Sequence, residues 1–485
     1  MQITRRGFLA GAAAGAMVAG FDPVRRRWVS RAEACSTWPT SDPVPSLAGV
    51  LLTDTASRTA DSRDKGNIVH RMPAAVLRPG SVDDIAAMVR FCREHGIQVT
   101  ARGQHHTMHG QSLTCGLIVD MTSLAQVRSI DAVRRRAVVD AGIKWHDLYL
   151  ATFPQGLRPV TTGYTNLSVG GTLSVGGCPL SNDKGGLVDH VRELVVVTGK
   201  GDIVTCSATA NTDLFEAVLG GLGQCGIIAQ ATIDLLPAKP RARTYLLHYV
   251  DAAAFWNDFR LLVERGELDE VYTVCMPPGL STFTYQINAT IFYDLLSPPN
   301  DVQLTRGTSV APVVQDQGYL DYAFTVDNQL AALQLTGWDD LVKPWFDVWL
   351  PGAMAESYIT DAVAALGPDD VGTGGFVLVF MQKRDKLTRP FFRMPDSPDW
   401  VVLFDIATTS QQPGTDDAFA QRMIARNRQL FDRARTLGGT RYPIGALDFT
   451  RQDWIAHYGA QWNEFSARKH RFDPGNILTP GPGIF

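Results

Sequence analysis

The sequence is modest in charge, and its charged residues are balanced rather than clustered. They make up 19% of the 485 residues, the formal net charge is −4, and no long run of one sign occurs. Nucleic-acid binding relies on a basic patch or stripe, so this class of partner is not indicated. The 45% of hydrophobic residues is an ordinary globular balance, and the length predicts two lobes rather than one core.

Cysteine is scarce for a chain of this length. Seven cysteines occur, at positions 35, 92, 115, 178, 206, 225 and 275. Secreted domains that depend on disulfides are far denser in cysteine, so the sequence does not indicate a disulfide framework. Long apolar runs are scarce as well. The N-terminal run at 9–20 is shorter than the ~20 residues that a bilayer-spanning helix needs, so no transmembrane segment is expected after processing.

The N-terminus carries an export pattern ahead of that apolar run. Arg5 and Arg6 stand in the stretch TRRGFL, which is a twin-arginine pattern. We predict a twin-arginine signal peptide over residues 1–34, with the mature protein extracellular, periplasmic or in the cell wall. A disordered basic tail is the alternative interpretation. Cys35 directly follows the small-x-small stretch AEA, which leaves a lipid anchor open, although Glu33 fits a lipobox poorly.

The order of patterns along the rest of the chain predicts an α/β (α+β) fold. Between strand-like runs at 73–79 and 97–101 lies a helical pattern that Ser81 caps and Gly96 ends. Its apolar face consists of Ile85, Met88, Val89 and Phe91. From about residue 241, strand-like runs rich in aromatic residues alternate with helical patterns. This second half is typical of a mixed sheet with helices, which predicts a second lobe.

Two glycine-rich segments are candidates for ligand binding. The stretch at 160–186 is rich in glycine; clustered glycines let backbone approach a ligand closely, and a plain surface loop is the alternative. A G-x-G-x-x-G pattern occupies 221–226. A dinucleotide fingerprint follows a strand and opens a helix, whereas this one follows a helical pattern and opens a strand-like run. We therefore reject a Rossmann site, while a glycine turn whose backbone faces a cofactor remains open.

Three histidines, His105, His106 and His109, follow the strand-like run at 97–101. Clustered histidines can bind a metal, but no acidic or cysteine ligand stands at a recognisable spacing and no H-E-x-x-H occurs. Solvated loop histidines are a second interpretation. The third is cofactor attachment, because a neutral imidazole is a nucleophile that can bond to the methyl carbon on the benzenoid ring of a flavin. The adjoining glycine lets backbone amides reach a pyrophosphate.

The same segment resembles the attachment loop of a known family. Residues 102–111 read RGQHHTMHGQ. This is similar to the R-G-x-G-H-S segment, followed by G-Q, of the FAD-linked oxidases of the vanillyl-alcohol oxidase / p-cresol methylhydroxylase (PCMH) superfamily, and within it to cytokinin dehydrogenases. The resemblance implies FAD linked covalently through His106, with Thr107 at the family's serine and Gln111 at its glutamine. His105 stands where the family has its second glycine, which is a departure.

Four further segments carry the resemblance from about residue 70 to the C-terminus. The stretches VGGTLS at 169–174 and LGGLGQCGII at 219–228 match the family's V-G-G-T-L-S and L-G-G-L-G-Q-F-G-V-I. The stretch KPWFDVWLP at 343–351 resembles the substrate-lobe segment H-P-W-L-N-L-F-V-P, and 462–485 resembles the closing segment that returns to the flavin lobe. The cofactor-binding residues that the resemblance implies are Arg102, Gly103, Gln104, His105, His106, Thr107, Gln111, Gly163, Ser168, Gly170, Gly171, Ser174, Gly226, Ile227 and Ile228.

The resemblance also implies a two-lobe PCMH-type fold with three structural parts. We expect an FAD-binding domain at 65–240 and a mixed-sheet substrate domain at 241–454. Residues 455–485 are expected to return to the FAD-binding domain.

Two departures limit what the resemblance implies, and the first of them leaves the catalytic base unassigned. In cytokinin dehydrogenases an aspartate six residues before V-G-G accepts the substrate's amine proton, and that position is Gly163 here. Asp183 and Asp347 can substitute only if the fold brings them close. The family's glutamine after the closing P-G is Pro482. Tyr164 stands where the related berberine bridge enzymes add a second flavin link through cysteine, so a single link is expected.

The resemblance implies an FAD-linked oxidase or dehydrogenase that takes a hydride from a small organic substrate. Oxygen or a quinone-like molecule is the expected electron acceptor. Amine oxidation of cytokinin type is one expectation, but Gly163 predicts weak or absent turnover of isoprenoid adenine cytokinins, since it has no side chain to accept a proton. Oxidation of an alcohol or of a secondary-metabolite carbon is the second, which loss of the aspartate favours. An exported, non-catalytic flavin carrier is the third.

Overall fold

The computed structural model of the chain describes residues 18–22, 27–30, 38, 43–277 and 279–485. The residues on which the export prediction rests, Arg5 and Arg6, and also Cys35, lie outside the described residues. None of the described helices combines the length and the apolarity that crossing a bilayer requires. Cys115 is disulfide-bonded. The free, buried thiols among the described cysteines are those of Cys92, Cys178, Cys206, Cys225 and Cys275.

The strands are short to medium in length and occur along the whole described chain. In chain order they are β1 (Val18–Asp22), β2 (Arg27–Ser30), β3 (Val50–Leu52), β4 (Ala75–Arg78), β5 (Val99–Arg102), β6 (Leu117–Asp120), β7 (Val127–Asp131), β8 (Arg136–Asp140), β9 (Leu157–Arg158), β10 (Val191–Thr198), β11 (Ile203–Ser207), β12 (Gly226–Asp234), β13 (Leu236–Pro237), β14 (Arg241–Tyr249), β15 (Glu270–Cys275), β16 (Tyr285–Tyr293), β17 (Val313–Gly318), β18 (Phe346–Pro351), β19 (Phe376–Lys383), β20 (Trp400–Ala407) and β21 (Thr440–Arg441).

The helices are interspersed with these strands. In chain order they are α1 (Thr55–Ala60), α2 (Val82–Glu94), α3 (Trp145–Thr152), α4 (Val169–Val175), α5 (Thr212–Val218), α6 (Ala252–Arg265), α7 (Asp301–Leu304), α8 (Tyr319–Ala323), α9 (Thr325–Gln334), α10 (Gly352–Ala365), α11 (Pro368–Val371), α12 (Asp417–Thr436), α13 (Arg451–Tyr458) and α14 (Trp462–Phe472).

In the part of the chain that the structure describes, the strands form three sheets of four or more strands and two small ribbons. The four-stranded sheet has the order β3-β4-β6-β5, and the five-stranded sheet has the order β11-β10-β12-β8-β7. The eight-stranded sheet has the order β17-β14-β16-β15-β19-β20-β18-β21, while β1-β2 and β13-β9 are the ribbons. Strands β4, β6 and β5 run parallel to one another. The fold is therefore mixed α/β, which confirms the predicted fold class.

Helix α2 forms where the sequence predicts it. The side-chain oxygen of Ser81 accepts a hydrogen bond from the backbone N–H of Asp84 at 3.2 Å, which satisfies one of the free donors of the first turn. Asp83 adds a negative charge beside the positive end of the helix. Gly96, with φ of 64°, follows the helix and lets the chain turn. The predicted apolar face is buried in the core of this part of the chain.

The eight-stranded sheet is antiparallel at every pairing. This corrects the expectation of a mixed sheet, and the reason is that an alternating apolar pattern does not distinguish parallel from antiparallel neighbours. One face of the sheet, which includes Val379 and Phe404, packs against helices α6, α10 and α12. Because side chains alternate along a strand, Phe380 and Leu403 point to the opposite face and join the core of the smaller sheets.

The C-terminal residues pack against the four-stranded sheet. Thr479 donates its backbone N–H to the carbonyl of Val99 in β5 at 2.8 Å, and Leu478 forms a parallel bridge with the same residue. A buried ion pair between Lys469 Nζ and Asp473 Oδ2, 2.7 Å apart, fixes the end of α14. The backbone N–H of Leu478 also donates to Asp473 Oδ2. The last segment of the chain therefore lies beside the loop that follows β5.

Candidate functional site

A cavity of about 890 Å³ is lined by both smaller sheets and by one face of the eight-stranded sheet. Ligand pockets usually measure ~300–1,000 Å³, so this volume is near the upper end of the range. Every residue that the sequence assigned to cofactor binding lines this one cavity. These residues come from the loop after β5, the loop before α4 with the helix itself, and the start of β12, which the fold brings together.

His106 lies in the loop that begins where β5 ends, and its imidazole faces the cavity. The ring centroid is 5.4 Å from that of Tyr164 and 5.3 Å from that of Trp345, which meets it edge-on. Burial, together with the positive charges of Lys65 and Lys343, lowers the pKa of His106 to about 3. The imidazole is therefore neutral at physiological pH, which is the state in which a ring nitrogen is nucleophilic.

His105 adopts a left-handed backbone conformation, with φ of 60°. This is the position where the family pattern has glycine, and glycine adopts that conformation without steric strain. Burial, followed by the charge of Arg102, lowers the pKa of His105 to about 3, so this ring is also neutral. Its Nε2 lies 3.7 Å from Oδ1 of Asp61. The departure from the family pattern therefore leaves the left-handed turn in place, at the cost of a strained histidine.

Gln111 fastens the His106 loop to the segment at 443–445. Its Nε2 donates to the carbonyls of Gly445 at 2.9 Å and of Ile444 at 3.2 Å. Its Oε1 accepts from the backbone N–H of His109 at 2.8 Å. Met108 adds a backbone hydrogen bond to the carbonyl of Ile444. Gln111 lines the cavity, but its side chain is committed to holding the loop in position.

Arg102 has a similar positioning role. Its guanidinium is buried and donates to the carbonyl of Asp61 at 2.5 Å and to the carbonyl of Arg63. An ion pair of 3.4 Å with Oδ1 of Asp61 accompanies these bonds. The guanidinium therefore ties the start of the loop to the segment that precedes β4, although other atoms of Arg102 line the cavity.

Gly103 allows the loop after β5 to approach the N-terminus of α4 closely. A Cβ atom at Gly103 would lie only 2.0 Å from Oγ of Ser168, the residue that precedes α4. At Gly171, in the first turn of α4, an added Cβ would meet only that same oxygen, at 2.8 Å. The two glycines therefore let the loop after β5 and the first turn of α4 pack closely around Ser168, and all three residues line the cavity. Gly170 and Gly171 lie next to each other inside α4. Because glycine disfavours helix, the sequence pattern does not predict this helix.

Gly163 lies on an apolar part of the cavity wall. A Cβ atom there would meet Cδ2 of Leu180 at 3.3 Å and Cγ2 of Val326 at 3.7 Å. Val326 belongs to α9, which Asp327 fixes to the neighbouring segment by accepting from the backbone N–H of Thr165 at 2.8 Å. Burial raises the pKa of Tyr164 to about 12, so its phenol does not act as a base at neutral pH. Neither Gly163 nor Tyr164 therefore supplies a proton acceptor.

The wall that the eight-stranded sheet supplies is largely apolar and aromatic. It is formed by Tyr272, Val274, Phe376, Leu378, Phe380, Leu403 and Ala407, with the amide of Gln286 at one side. Helix α9 closes the cavity near Gly163 with Val326, Gln329, Leu330 and Leu333. Such a surface suits a small, mostly apolar molecule that carries few polar groups.

Asp347 and Asp405 are two carboxyl groups on this otherwise apolar wall. They stand directly opposite each other on the neighbouring strands β18 and β20. Burial raises the pKa of Asp347 to about 7 and that of Asp405 well above its usual range, and the proximity of the two carboxyls raises the latter further. Asp183, the other carboxylate considered as a base, lies at the surface beside Lys184 and not in the cavity.

Sequence reasoning named Asp347 as a conditional substitute for the missing base but did not identify Asp405. Both are single acidic residues inside apolar strand-forming runs, FDVWLP and WVVLFDIA. A lone carboxylate in such a run is the signal that identifies them, because a buried charge is costly unless it is paired or functional. Among the described residues, no group of three or more His, Cys, Asp or Glu side chains is arranged to hold a metal ion.

Comparisons with known proteins agree with this geometry. The FAD binding domain family model matches residues 73–207, and the model described as "Cytokinin dehydrogenase 1, FAD and cytokinin binding" matches residues 303–485. An uncharacterized oxidoreductase, ORF5 in the fasciation locus of Rhodococcoides fascians, is 33% identical over 441 residues, which cover 90% of this chain and 99% of that protein. Cytokinin dehydrogenase 4 of Arabidopsis thaliana is 32% identical over 494 residues, which cover 91% of this chain and 93% of that enzyme. Cytokinin dehydrogenase 1 of Oryza sativa subsp. japonica is 29% identical over 492 residues, with 90% and 92% covered.

Proposed function

The chain belongs to the cytokinin dehydrogenase family of FAD-dependent oxidoreductases, and we propose that it carries FAD covalently on His106 and oxidises a small, largely apolar organic molecule. The observation that carries this proposal is the neutral imidazole of His106, half-buried in the loop after β5 and facing the large cavity. A neutral ring nitrogen at that place is available to form the bond to the flavin methyl carbon.

The residues around the cavity fit the cofactor. His106 would hold the ring system. The backbone around Gly103, Gly171 and Gly226 would contact the rest of the molecule, since all three glycines line the cavity. FAD supplies, when bound, the acceptor for a hydride from a substrate C–H bond. The protein positions the substrate beside the cofactor, keeps water away from the reacting carbon and accepts the substrate's proton.

The apolar wall defines the class of substrate. Tyr272, Phe380 and Leu378 offer flat and aliphatic surfaces, and Gln286 offers a neutral polar group. We propose a substrate with an apolar or aromatic body and one amine or hydroxyl next to the carbon that is oxidised. Such a molecule buries its body against the sheet and excludes water from the reacting carbon.

The nature of that polar group separates two candidate reactions. Relatives that bear the name cytokinin dehydrogenase support oxidation of a secondary amine. Gly163 supports the second candidate, oxidation of an alcohol or of a secondary-metabolite carbon, because it has no side chain and the atoms nearest to a Cβ there belong to Leu180 and Val326. We therefore expect weak or absent turnover of isoprenoid adenine cytokinins.

Export and reoxidation complete the proposal. Arg5 and Arg6 support export by the twin-arginine route, which carries folded proteins and suits a chain that must receive its cofactor first. Replacing both residues by lysine is expected to leave the protein in the cytoplasm, and unchanged export would contradict this part.

The proposed electron acceptor is oxygen or a quinone-like molecule.

Bleaching of the flavin by substrate, without added acceptor, tests the proposed reaction. The holoprotein is mixed under anaerobic conditions with a panel of secondary amines, including isoprenoid adenine cytokinins, and of aromatic and aliphatic alcohols. We expect an alcohol or a non-cytokinin amine to bleach the absorbance faster than any cytokinin. Fastest bleaching by cytokinins would favour the first candidate, and no bleaching by any compound would contradict the proposed function.

A further inference from the structure

We propose that Asp347 and Asp405 together form the proton acceptor of this site, on a different part of the cavity wall from Gly163, so that they serve a substrate whose amine or hydroxyl lies beside β18 and β20. The inference rests on the proposed function, since it names the group that receives the proton of the substrate's amine or hydroxyl. It also makes a statement about the protein alone, that the two carboxyls share one proton near neutral pH.

The position of the pair follows from the register of the eight-stranded sheet. A row of cavity-lining residues crosses neighbouring strands and runs from Gln286 through Val274 and Leu378 to Asp405 and Asp347. The apolar part of this row is the surface against which the substrate body would lie. The carboxyls therefore stand at one end of the substrate surface and belong to the same cavity wall.

Asp347 is also close to the proposed attachment point of the cofactor. Trp345 precedes it by two residues, and residues two apart in extended chain lie ~7 Å apart. The ring of Trp345 contacts the ring of His106, with 5.3 Å between centroids. A Cβ atom at Gly445 would lie 2.2 Å from Oδ2 of Asp347, and Gly445 is the residue that Gln111 holds. The pair, the loop of His106 and the segment at 443–445 are thus packed together.

Both carboxyls keep an oxygen that is free to accept a proton. Among the described residues, Oδ2 of Asp347 and Oδ1 of Asp405 are buried and have no hydrogen-bond partner. Buried polar atoms without partners are uncommon in native proteins and indicate a functional role or a bound molecule. Both residues line a cavity that is large enough for a ligand, so a substrate N–H or O–H that approaches from the cavity is the partner that we assign to the pair.

The charges around the pair allow one negative charge but oppose two. Like charges directly opposite on neighbouring strands repel, so the two carboxyls share a proton rather than ionise together. The buried cation of Arg441 balances a single negative charge on Asp347. Within the described part of the chain, the other titratable groups that face the pair are the thiol of Cys178 and the phenol of Tyr442. Burial raises the pKa of both, so they are neutral.

The pKa of Asp347 suits a base that works near neutral pH. Burial raises it to about 7, and general bases are most effective when their pKa is close to the working pH. The proton balance is simple. The substrate loses an N–H or O–H proton to the pair, and the neighbouring C–H bond loses a hydride to FAD, so that a C=N or C=O bond forms. The pair then holds two protons and returns one to solvent while the electron acceptor reoxidises the cofactor.

The shared proton is tested without substrate by infrared difference spectroscopy of the holoprotein at neutral pH. The variant Asp405→Asn replaces the protonated carboxyl by an amide of the same shape, so it is expected to fold. We expect the difference spectrum, wild type minus variant, to contain the C=O stretch of a protonated carboxylic acid. The control variant Asp183→Asn changes an exposed carboxylate and is expected to give no such band. Absence of the band in the Asp405→Asn difference overturns the proposal, whatever the substrate panel shows.

Proton transfer is tested by the rate of anaerobic flavin bleaching as a function of pH. The double variant Asp347→Asn/Asp405→Asn imitates the fully protonated pair and is expected to keep its covalent flavin. We expect its bleaching rate to fall by ~10²–10⁴-fold, the usual contribution of a positioned base. Wild type is expected to slow below about pH 7, as the pair takes up its second proton. A double variant that matches Asp183→Asn in rate and pH profile overturns the inference, while the proposed function stands if wild type is bleached.

Discussion

The imidazole of His106 and the indole of Trp345 meet edge to face, with their ring centroids 5.3 Å apart. His106 belongs to the loop after β5, whereas Trp345 immediately precedes β18 of the eight-stranded sheet. The proposed attachment point of the cofactor therefore lies where the smaller sheets meet the substrate-facing sheet. This contact places the proposed attachment point and the carboxyl pair on adjoining parts of one cavity.

The left-handed backbone of His105 gives a prediction about stability. His105→Gly removes the steric strain of a side chain at φ of 60°, and we expect it to raise the free energy of unfolding by up to about 1 kcal/mol. His105→Ala is the matched control, because it removes the ring but keeps the strain. Urea unfolding followed by intrinsic fluorescence measures both. A loss of stability in His105→Gly would show that contacts of the ring outweigh the strain.

The hydrogen bonds of Gln111 give a prediction about cofactor loading. Gln111→Ala leaves the buried carbonyls of Ile444 and Gly445 without this donor, and such losses cost about 1–3 kcal/mol. We expect a loosened His106 loop, so the fraction of protein with covalent flavin falls. Absorbance of flavin after denaturation, relative to protein, measures that fraction. The exposed Gln155→Ala is the control, and equal loading in the two variants would contradict the positioning role of Gln111.

The space beside Gly163 gives a prediction about specificity. Gly163→Asp introduces a carboxylate whose Cβ requires Leu180 to move by only a few tenths of an ångström, and the backbone is not left-handed there. We expect turnover of isoprenoid adenine cytokinins to rise, by up to ~10²-fold if the carboxylate accepts the amine proton. Gly163→Ala is the control for filled volume. Steady-state kinetics with both variants measures the effect, and an equal response in the two would contradict it.

The carboxyl pair gives a prediction about the pH dependence of folding. Burial raises the native pKa of Asp347 and of Asp405 above the unfolded values near 4. The native state therefore binds more protons than the unfolded chain, and stability is lost as pH rises through about 7. We expect the unfolding free energy of Asp405→Asn to fall less between about pH 5 and about pH 8 than that of wild type. Asp64, whose pKa burial also raises to about 7, is present in both proteins. Equal slopes would show that the pair does not share a proton.

Local patterns in the sequence were sufficient to predict much of the fold. The helix that Ser81 caps and Gly96 ends, α2 (Val82–Glu94), is one example. The order of helix, glycine turn and strand around 221–226 is also as predicted, with α5 before the turn and β12 after it. These features depend on residues that are near one another in the chain, and periodicity and capping report such neighbours directly.

Features that depend on distant residues were not predictable in the same way. Asp405 pairs with Asp347 only through the register of β20 against β18, which is set by the whole sheet. The hydrogen bonds that the side chains of Gln111 and Arg102 donate depend likewise on distant segments, at 443–445 and 61–63. The sequence therefore located the wall of the cavity, while the roles of individual polar side chains required the fold.

The central claim is that His106 carries the flavin, and peptide mass spectrometry tests it most directly. Trypsin cleaves after Arg102 and Arg128, so reduced and denatured protein yields a peptide of residues 103–128 that contains His105, His106 and His109. We predict that this peptide carries the mass of FAD, that fragmentation places it on His106, and that His106→Ala abolishes it while His105→Ala does not. An unmodified wild-type peptide, or FAD on another residue, would contradict the account.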